Sequence, residues 1–402
     1  MTAPVKTQFM ASIKLVMMSL ALLLAIAACS SDNDDPDDSN PPLGSDSITF
    51  SVAADGTQEI PATGSTASAT GTLTLDRTTG ALTGSVTTTG LTTDVAHIHD
   101  GFAGMNGGVI ITLDVDGATI SVPDSTVLTA DQQASMLAGA YYVNIHSAAI
   151  PTGEIRGQLA PTGIAVMQVA LDGSSEVPPV SSAGSGTAYL TVNETTGAAV
   201  INVITTGLTT PTAAHLHGGF AGSNGGVLQE LEQDAAEVGN FSTAAGTVLS
   251  AENLTSLLNG GTYINVHTAE TPSGELRGQV LPSGITLLNA ALSGDQEVPP
   301  VTTLASGNGV VTLNENDSTL TAFVNVADAP TANAGHIHEG TVGNNGGVVI
   351  ILMQNTDDAG IFSASAEAVT AEQIETLKTG GMYFNIHTPE NPGGEIRGQI
   401  EP

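Results

Sequence analysis

All nine histidines of the 402-residue chain belong to three sets with the same spacing pattern. Each set has a His-x-His pair and, further along the chain, the histidine of an Asn-x-His triplet. The members are His97, His99 and His146; His215, His217 and His267; and His336, His338 and His387. Neutral imidazole is a common ligand of Zn²⁺ and Cu²⁺, and three such ligands leave a fourth coordination position open. The pattern predicts one Cu or Zn ion per set.

Two other interpretations of the histidine sets stay open. In the first, His, Asn, Glu and Arg side chains satisfy one another in a metal-free polar network that keeps the strands in register. In the second, each set forms a catalytic site or binds an organic ligand. The confinement of every histidine to these motifs favours metal binding, because histidines used only as surface polarity would also occur elsewhere.

Each histidine set is accompanied by one Asn, one Glu and one Arg. They are Asn144, Glu154 and Arg156; Asn265, Glu275 and Arg277; and Asn385, Glu395 and Arg397. We expect the Asn, the Glu or Gln158 and its copies to hold the second ring nitrogen of the ligating histidines. Because basic residues are rare in a chain with a net charge of −33, we expect each Arg to pair with a buried carboxylate, most simply the neighbouring Glu.

Alternation along β-strands must place these residues. Residues two apart point to the same face, so His97 and His99 share one face while Ile98 points to the other. The same holds for Asn144 with His146, and for Glu154 with Arg156. The apolar runs 109–113 and 348–352 predict fully buried strands.

The chain repeats with a period of about 120 residues, which is the length of whole domains rather than of a solenoid unit. Boundaries at Pro-x-Gly links predict domain 1 at 47–161, domain 2 at 162–282 and domain 3 at 283–402. Capping boxes at Thr129 and Thr370 predict one short helix per domain, with a weaker start at Ser250. The fold prediction is mainly β: three tandem immunoglobulin-like or Greek-key β-sandwich domains, each with one short helix.

Two further motifs are interpreted as turns. The Gly-rich stretch 101–108 lacks the lysine and the following helix of a phosphate-binding loop, so it predicts a turn with positive φ at Asn106-Gly107. The Glu-x-Pro segments that begin at Glu59, Glu176 and Glu297 predict strand-ending turns without a chemical role.

The N-terminus predicts export. Lys14 precedes a short apolar run that ends in small residues before Cys29, which is typical of a signal peptide at 1–28. Small residues directly before a cysteine resemble the lipobox of bacterial lipoproteins, and the resemblance implies cleavage before Cys29 and lipidation of its thiol. The polar, acidic segment 29–46 predicts a disordered tether. We expect an exported, lipid-anchored protein, at the periplasmic or the cell-surface face of the outer membrane.

Charge and cysteine content exclude several classes of protein. The acidic surface repels phosphate backbones, which argues against nucleic-acid binding. A single cysteine excludes an intrachain disulfide. The lipobox resemblance and the histidine sets predict a lipid anchor and metal ions as partners. We also expect an extracellular protein or matrix component, whose identity the sequence does not specify.

The repeats resemble the CHRD, or chordin-type, domain family in four motifs. These are the Glu-Val-Pro-Pro opening, the Ala-His-Ile-His strand with Gly-x-x-Gly-x-Asn-Gly-Gly-Val after it, the Tyr-x-Asn-Ile-His strand and Gly-Glu-Ile-Arg-Gly-Gln. The resemblance implies an immunoglobulin-like sandwich, loosely similar to copper/zinc superoxide dismutase, and no settled activity. A bridging histidine, a zinc-ligand cluster and a disulfide are missing, so the dismutase likeness extends only to mononuclear copper or zinc binding.

Three functional hypotheses follow. The first is a binding or structural surface module with Cu or Zn in each domain. The second is a metal-dependent enzyme, dismutase-like or hydrolytic, although triplicated sites suit capacity or adhesion better than catalysis. The third is a metal-free adhesive or matrix protein.

Overall fold

The computed structural model describes residues 46–402, and they are mainly β-structure. The predicted signal peptide, Cys29 and nearly all of the tether lie outside the described residues. Domain 1 contains strands β1 Ser47–Asp55, β2 Ser68–Asp76, β3 Leu82–Thr89, β4 Val95–Asp100, β5 Val109–Thr112, β6 Asp114–Asp116, β7 Thr119–Ser121, β8 Tyr141–His146 and β9 Ile155–Leu159.

Domains 2 and 3 repeat this arrangement with one strand fewer, because a single longer strand takes the place of β5 and β6. Domain 2 contains β10 Ile164–Leu171, β11 Ser185–Asn193, β12 Ala199–Thr206, β13 Pro211–Gly218, β14 Val227–Gln233, β15 Asn240–Ser242, β16 Thr262–Thr268 and β17 Leu276–Gln279. Domain 3 contains β18 Ile285–Ser293, β19 Ser306–Asn314, β20 Thr319–Ala327, β21 Ala334–Glu339, β22 Val348–Gln354, β23 Ile361–Ala368, β24 Met382–His387 and β25 Ile396–Gln399.

The three domains share one cyclic strand order, which in domain 1 is open between β5 and β6. In domain 3 the order β18-β19-β20-β23-β22-β21-β24-β25 closes into a barrel, and in domain 2 the equivalent strands follow the same order. Domain 1 forms one sheet in the order β5-β4-β8-β9-β1-β2-β3-β7-β6. In every domain the His-x-His strand therefore pairs with the Asn-x-His strand, which in turn pairs with the Arg-bearing strand. The prediction of mainly β domains is confirmed.

One short helix interrupts the strands of each domain, as predicted. The helices are α1 Ala130–Leu137, α2 Ala251–Leu258 and α3 Ala371–Lys378. Thr129 and Thr370 form complete capping boxes, whereas Ser250 only accepts a bond from the Asn253 N–H. Three-residue 3-10 turns also follow the first strands of domains 1 and 3.

The core explains why the histidines face outward. Ile98, Ile145 and Ile155, the residues between the polar positions of the three strands, are fully buried in one apolar cluster. Burying each such side chain contributes about 1.5–3 kcal/mol. This energy holds the strands in register, because a slip by one residue would turn the isoleucines outward and the histidines into the core.

The prediction of fully buried strands at 109–113 and 348–352 is wrong. Val109 is 51% exposed and Ile351 is 64% exposed. Strand β5 is the edge strand of its sheet. In β22, buried residues alternate with exposed ones, so only one face packs against the core.

Consecutive domains touch through their Gly-rich loops. The Asn202 amide of domain 2 donates to the Ala103 carbonyl of domain 1 at 2.8 Å. Likewise, the Asn325 amide of domain 3 donates to the Gly222 carbonyl of domain 2 at 3.3 Å. Within residues 46–402 no helix combines the length and apolar character that a membrane crossing requires.

Candidate metal centre

Strand pairing brings each histidine triad together on the outer face of its sheet. On β4 and β8 of domain 1, Val95 lies opposite His146, His97 opposite Asn144 and His99 opposite Tyr142. One nitrogen from each of His97, His99 and His146 lies within 4.8 Å of the other two, and the same is true of both other triads. The alternation of side chains along each strand, together with the pairing of the strands, therefore gathers the nine histidines into three compact clusters.

Backbone carbonyls fix the orientation of two rings in each triad. In domain 1, Nδ1 of His99 lies 3.0 Å from the Gly107 oxygen, and Nδ1 of His146 lies 3.0 Å from the Pro151 oxygen. A carbonyl can only accept, so in a neutral ring Nδ1 carries the proton and Nε2 presents its lone pair. The third ring, His97, directs Nδ1 to the Nε2 atom of His146 at 3.3 Å.

The Nε2 atom of the second histidine is buried and has no hydrogen-bond partner among residues 46–402. This holds for His99, His217 and His338 alike. A buried nitrogen without a partner is costly, and native proteins rarely leave one unless a ligand satisfies it. Together with its two neighbours, it forms a set of three nitrogen donors suited to Cu or Zn.

The environment of each triad favours neutral imidazole, the form that binds metal. Burial and the nearby rings of His146 and His99 lower the pKa of His97. Burial also lowers the pKa of His99, an effect that the Gly107 carbonyl opposes and the nearby charges of His146 and Arg156 reinforce. The pKa values of His215, His217, His267, His336 and His387 are lowered as well, in each case mainly by burial.

Behind each triad a tyrosine is stacked between histidine and arginine. The rings of His99 and Tyr142 are 5.1 Å apart at an angle of 14°, and the Arg156 guanidinium carbon lies 3.4 Å from the Tyr142 centroid. Domains 2 and 3 repeat the arrangement with Tyr263 and Tyr383. The tyrosine hydroxyl also accepts the Gly107 N–H at 3.1 Å.

The buried arginine holds the Gly-rich loop against the sheet. Arg156 donates to the carbonyls of Met105 at 2.7 Å and Phe102 at 3.0 Å, and to Gln158 at 3.1 Å. Arg277 and Arg397 make equivalent contacts with their own loops. Since the same loop supplies the Gly107 carbonyl to His99, the arginine and the histidine are linked through it.

The expected pairing of each Arg with the neighbouring Glu is wrong. Glu154 precedes β9 and accepts hydrogen bonds from Ser65 at 2.7 Å and from Ser147. The copies Glu275 and Glu395 likewise bind hydroxyl groups. None of Arg156, Arg277 and Arg397 has a carboxylate within salt-bridge distance among the described residues.

The residues expected to hold the histidine rings have other partners. Backbone carbonyls take that place, while Asn144 and Asn265 donate to Glu59 and Glu176. Gln158 donates to the carbonyls of Gly101, Gly139 and Tyr141. The predicted positive φ at Asn106-Gly107 is also wrong, because in this loop positive φ occurs at Gly101, at +158°, and at Gly104, at +81°.

Sequence reasoning missed the glutamate of the Glu-x-Pro turns. Glu59, Glu176 and Glu297 are only 4%, 6% and 5% exposed. Burial raises their pKa values, to about 7 for Glu297, against the opposing effect of the nearby arginine. Their presence in all three repeats was the available signal, the same one that singled out the arginines. Tyr142, two residues before Asn144 on the same strand face, was missed as well.

Comparison with known proteins assigns the repeats to one domain type. The sequence profile of the CHRD domain matches residues 50–159, 167–280 and 288–400. Chordin of Xenopus laevis is 30% identical over 171 residues, which cover 38% of this chain. The matched region spans 17% of the length of that relative. No solved structure matches the chain.

Proposed function

The chain belongs to the CHRD-domain family, and we propose that each of its three domains binds one Cu or Zn ion through its histidine triad. The proposal makes the protein a binding or structural module that carries metal, rather than an enzyme. The buried, unpartnered Nε2 of His99 and its two copies carries the proposal. Tandem CHRD domains support the module, and the triads support the metal.

The donor set is the main argument for metal. Each triad supplies three imidazole nitrogens, and for two of its rings the lone pair that faces the cluster is fixed by a carbonyl on the other side. Such support by groups behind the ligand is how proteins orient metal-binding imidazoles. A fourth position is left for water or another ligand, which is compatible with Cu²⁺ or Zn²⁺.

A metal-free network is the second candidate, and one observation favours it. The first and third histidines approach within hydrogen-bond distance, at 3.0 Å between His215 and His267 and between His336 and His387. A proton on one nitrogen would then join the two rings without metal. The second histidine of each triad takes no part in that hydrogen bond, so its buried Nε2 would still lack a partner. This observation favours metal binding.

Metal analysis of the full chain, purified without a histidine tag and reconstituted with Cu²⁺ or Zn²⁺, tests the proposal. We expect three ions per chain, and two when His146→Ala removes one triad. Chelator should lower the melting temperature of the unmutated protein. Less than one ion per chain, or equal melting temperatures with and without chelator, would favour the metal-free network.

We also propose that the protein is exported and anchored by a lipid on Cys29, at the outer membrane. The apolar run, the small residues before Cys29 and the acidic segment behind it support this location. Labelling cells with a radioactive fatty acid should label the unmutated chain but not Cys29→Ala. The net charge of −33 argues against nucleic acid as a partner, and supports a solvated surface protein that contacts metal ions and extracellular components.

A further inference from the structure

The three triads are alike in their histidines but differ in the residue that lies opposite the first histidine. The first histidine of each pair lies opposite a residue of the next strand. In domain 2, Glu230 of β14 lies opposite His215. The equivalent residue is Thr112 opposite His97 in domain 1, and Ile351 opposite His336 in domain 3.

Register places the Glu230 side chain beside the triad. Directly opposed residues of an antiparallel pair point to the same face, with β-carbons about 4.5–5.5 Å apart. Glu230 is exposed, so its side chain is free to change rotamer. Its negative charge acts on the His215 ring, where it opposes the lowering of the pKa by burial and by His217.

We propose that the Glu230 carboxylate is a fourth, anionic ligand, which makes domain 2 the tightest of the three sites for a divalent cation. The inference rests on the proposed histidine sites. Three neutral imidazoles leave the full charge of a divalent ion uncompensated, whereas one carboxylate halves it. Carboxylate oxygen joins histidine nitrogen in many zinc sites.

The other two domains do not offer this ligand at the same position. Thr112 has a neutral hydroxyl group, and Ile351 has no donor atom and is 64% exposed. The pKa of His97 and of His336 is lowered by burial and by neighbouring histidines. The chain thus provides its own comparison, with three sites that share their histidines and differ in the residue opposite the first one.

Single-site versions of the full chain measure each affinity separately. His146→Ala with His387→Ala leaves domain 2, His267→Ala with His387→Ala leaves domain 1, and His146→Ala with His267→Ala leaves domain 3. Circular dichroism confirms folding, and Zn²⁺ is titrated in competition with a chromogenic chelator. We expect the domain 2 site to bind Zn²⁺ at least about tenfold more tightly than the others.

Two substitutions then test the carboxylate itself. Glu230→Gln in the domain 2 version should remove the tenfold advantage, and Ile351→Glu in the domain 3 version should create one. Glu230→Asp should keep part of it. Three equal affinities, or an advantage that survives Glu230→Gln, would overturn the role of Glu230 and leave the histidine sites standing. No Zn²⁺ binding in any version would overturn both proposals.

Discussion

His99 stacks on Tyr142 across two paired strands, with 5.1 Å between ring centroids and an angle of 14°. The tyrosine therefore fixes the plane of a histidine whose Nε2 faces the triad. Gly107 connects the two residues a second time, because its N–H donates to the Tyr142 hydroxyl and its carbonyl accepts from His99. The orientation of the His99 ring thus depends on one aromatic side chain and one loop residue.

Replacing Tyr142 should weaken metal binding in domain 1. Tyr142→Leu removes the stacked ring and the hydroxyl group, so we expect Zn²⁺ affinity to fall about tenfold in the chain that keeps only the domain 1 triad. Tyr142→Phe keeps the ring and should have a smaller effect. Competition titration measures both, and unchanged affinity in Tyr142→Leu would show that the stack does not position His99.

The loop that supports His99 tolerates no side chain at Gly107. A β-carbon there would overlap the Asp100 carbonyl oxygen, whereas one at Gly108 would have no atom within 4 Å. Gly107→Ala should therefore displace the loop, lower the melting temperature of domain 1 and weaken its metal binding. Gly108→Ala is the matched control and should leave both unchanged. Equal behaviour of the two variants in calorimetry and titration would contradict this role of the loop.

Arg156 should be irreplaceable by lysine. Its guanidinium group donates to two loop carbonyls and covers Tyr142, and a lysine ammonium group cannot reproduce that planar geometry. We expect Arg156→Lys to lower the free energy of unfolding of domain 1 by about 1–3 kcal/mol. Hydrogen exchange of the β8 and β9 amides reports this change. Arg77→Lys, at a side chain that is 47% exposed, should have almost no effect.

Glu297 should make domain 3 less stable as the pH rises. Burial raises the pKa of Glu297 from 4.5 to about 7. Between pH 4.5 and pH 7 the Glu297 carboxyl group therefore keeps a proton in the folded state that it has released in the unfolded state. This contribution to stability is fully present below pH 4.5 and is lost as the pH rises to 7. The lowered pKa values of His336 and His387 have the opposite effect, because they make domain 3 more stable as the pH rises toward 6.5.

Glu297→Gln isolates the contribution of the carboxyl group. The amide keeps the shape of the protonated acid and cannot titrate. The variant should therefore lack the decline in the free energy of unfolding of domain 3 that Glu297 causes in the unmutated chain between pH 4.5 and pH 7. Melting curves at several pH values measure the difference. Parallel pH profiles of the two proteins would show that Glu297 is already ionised across that range.

Local periodicity was sufficient for much of this protein. The short helices and the β-class follow from patterns within a few residues, because strand pleating and helix capping are local effects. The three repeats follow from comparing the sequence with itself, which needs no tertiary structure. Alternation alone indicated that His97 and His99 face away from Ile98. The isoleucine enters the core, and its burial keeps both histidines on the outer face.

Contacts between distant segments were decided only by the tertiary structure. Nothing in the spacing of Arg156 indicates that it binds the loop carbonyls of Phe102 and Met105 instead of Glu154. The buried position of Glu59 likewise depends on a turn that folds over Asn144. Periodicity specifies the face to which a side chain points, whereas its partners depend on which loops cover that face, and loop paths are determined by packing over the whole domain.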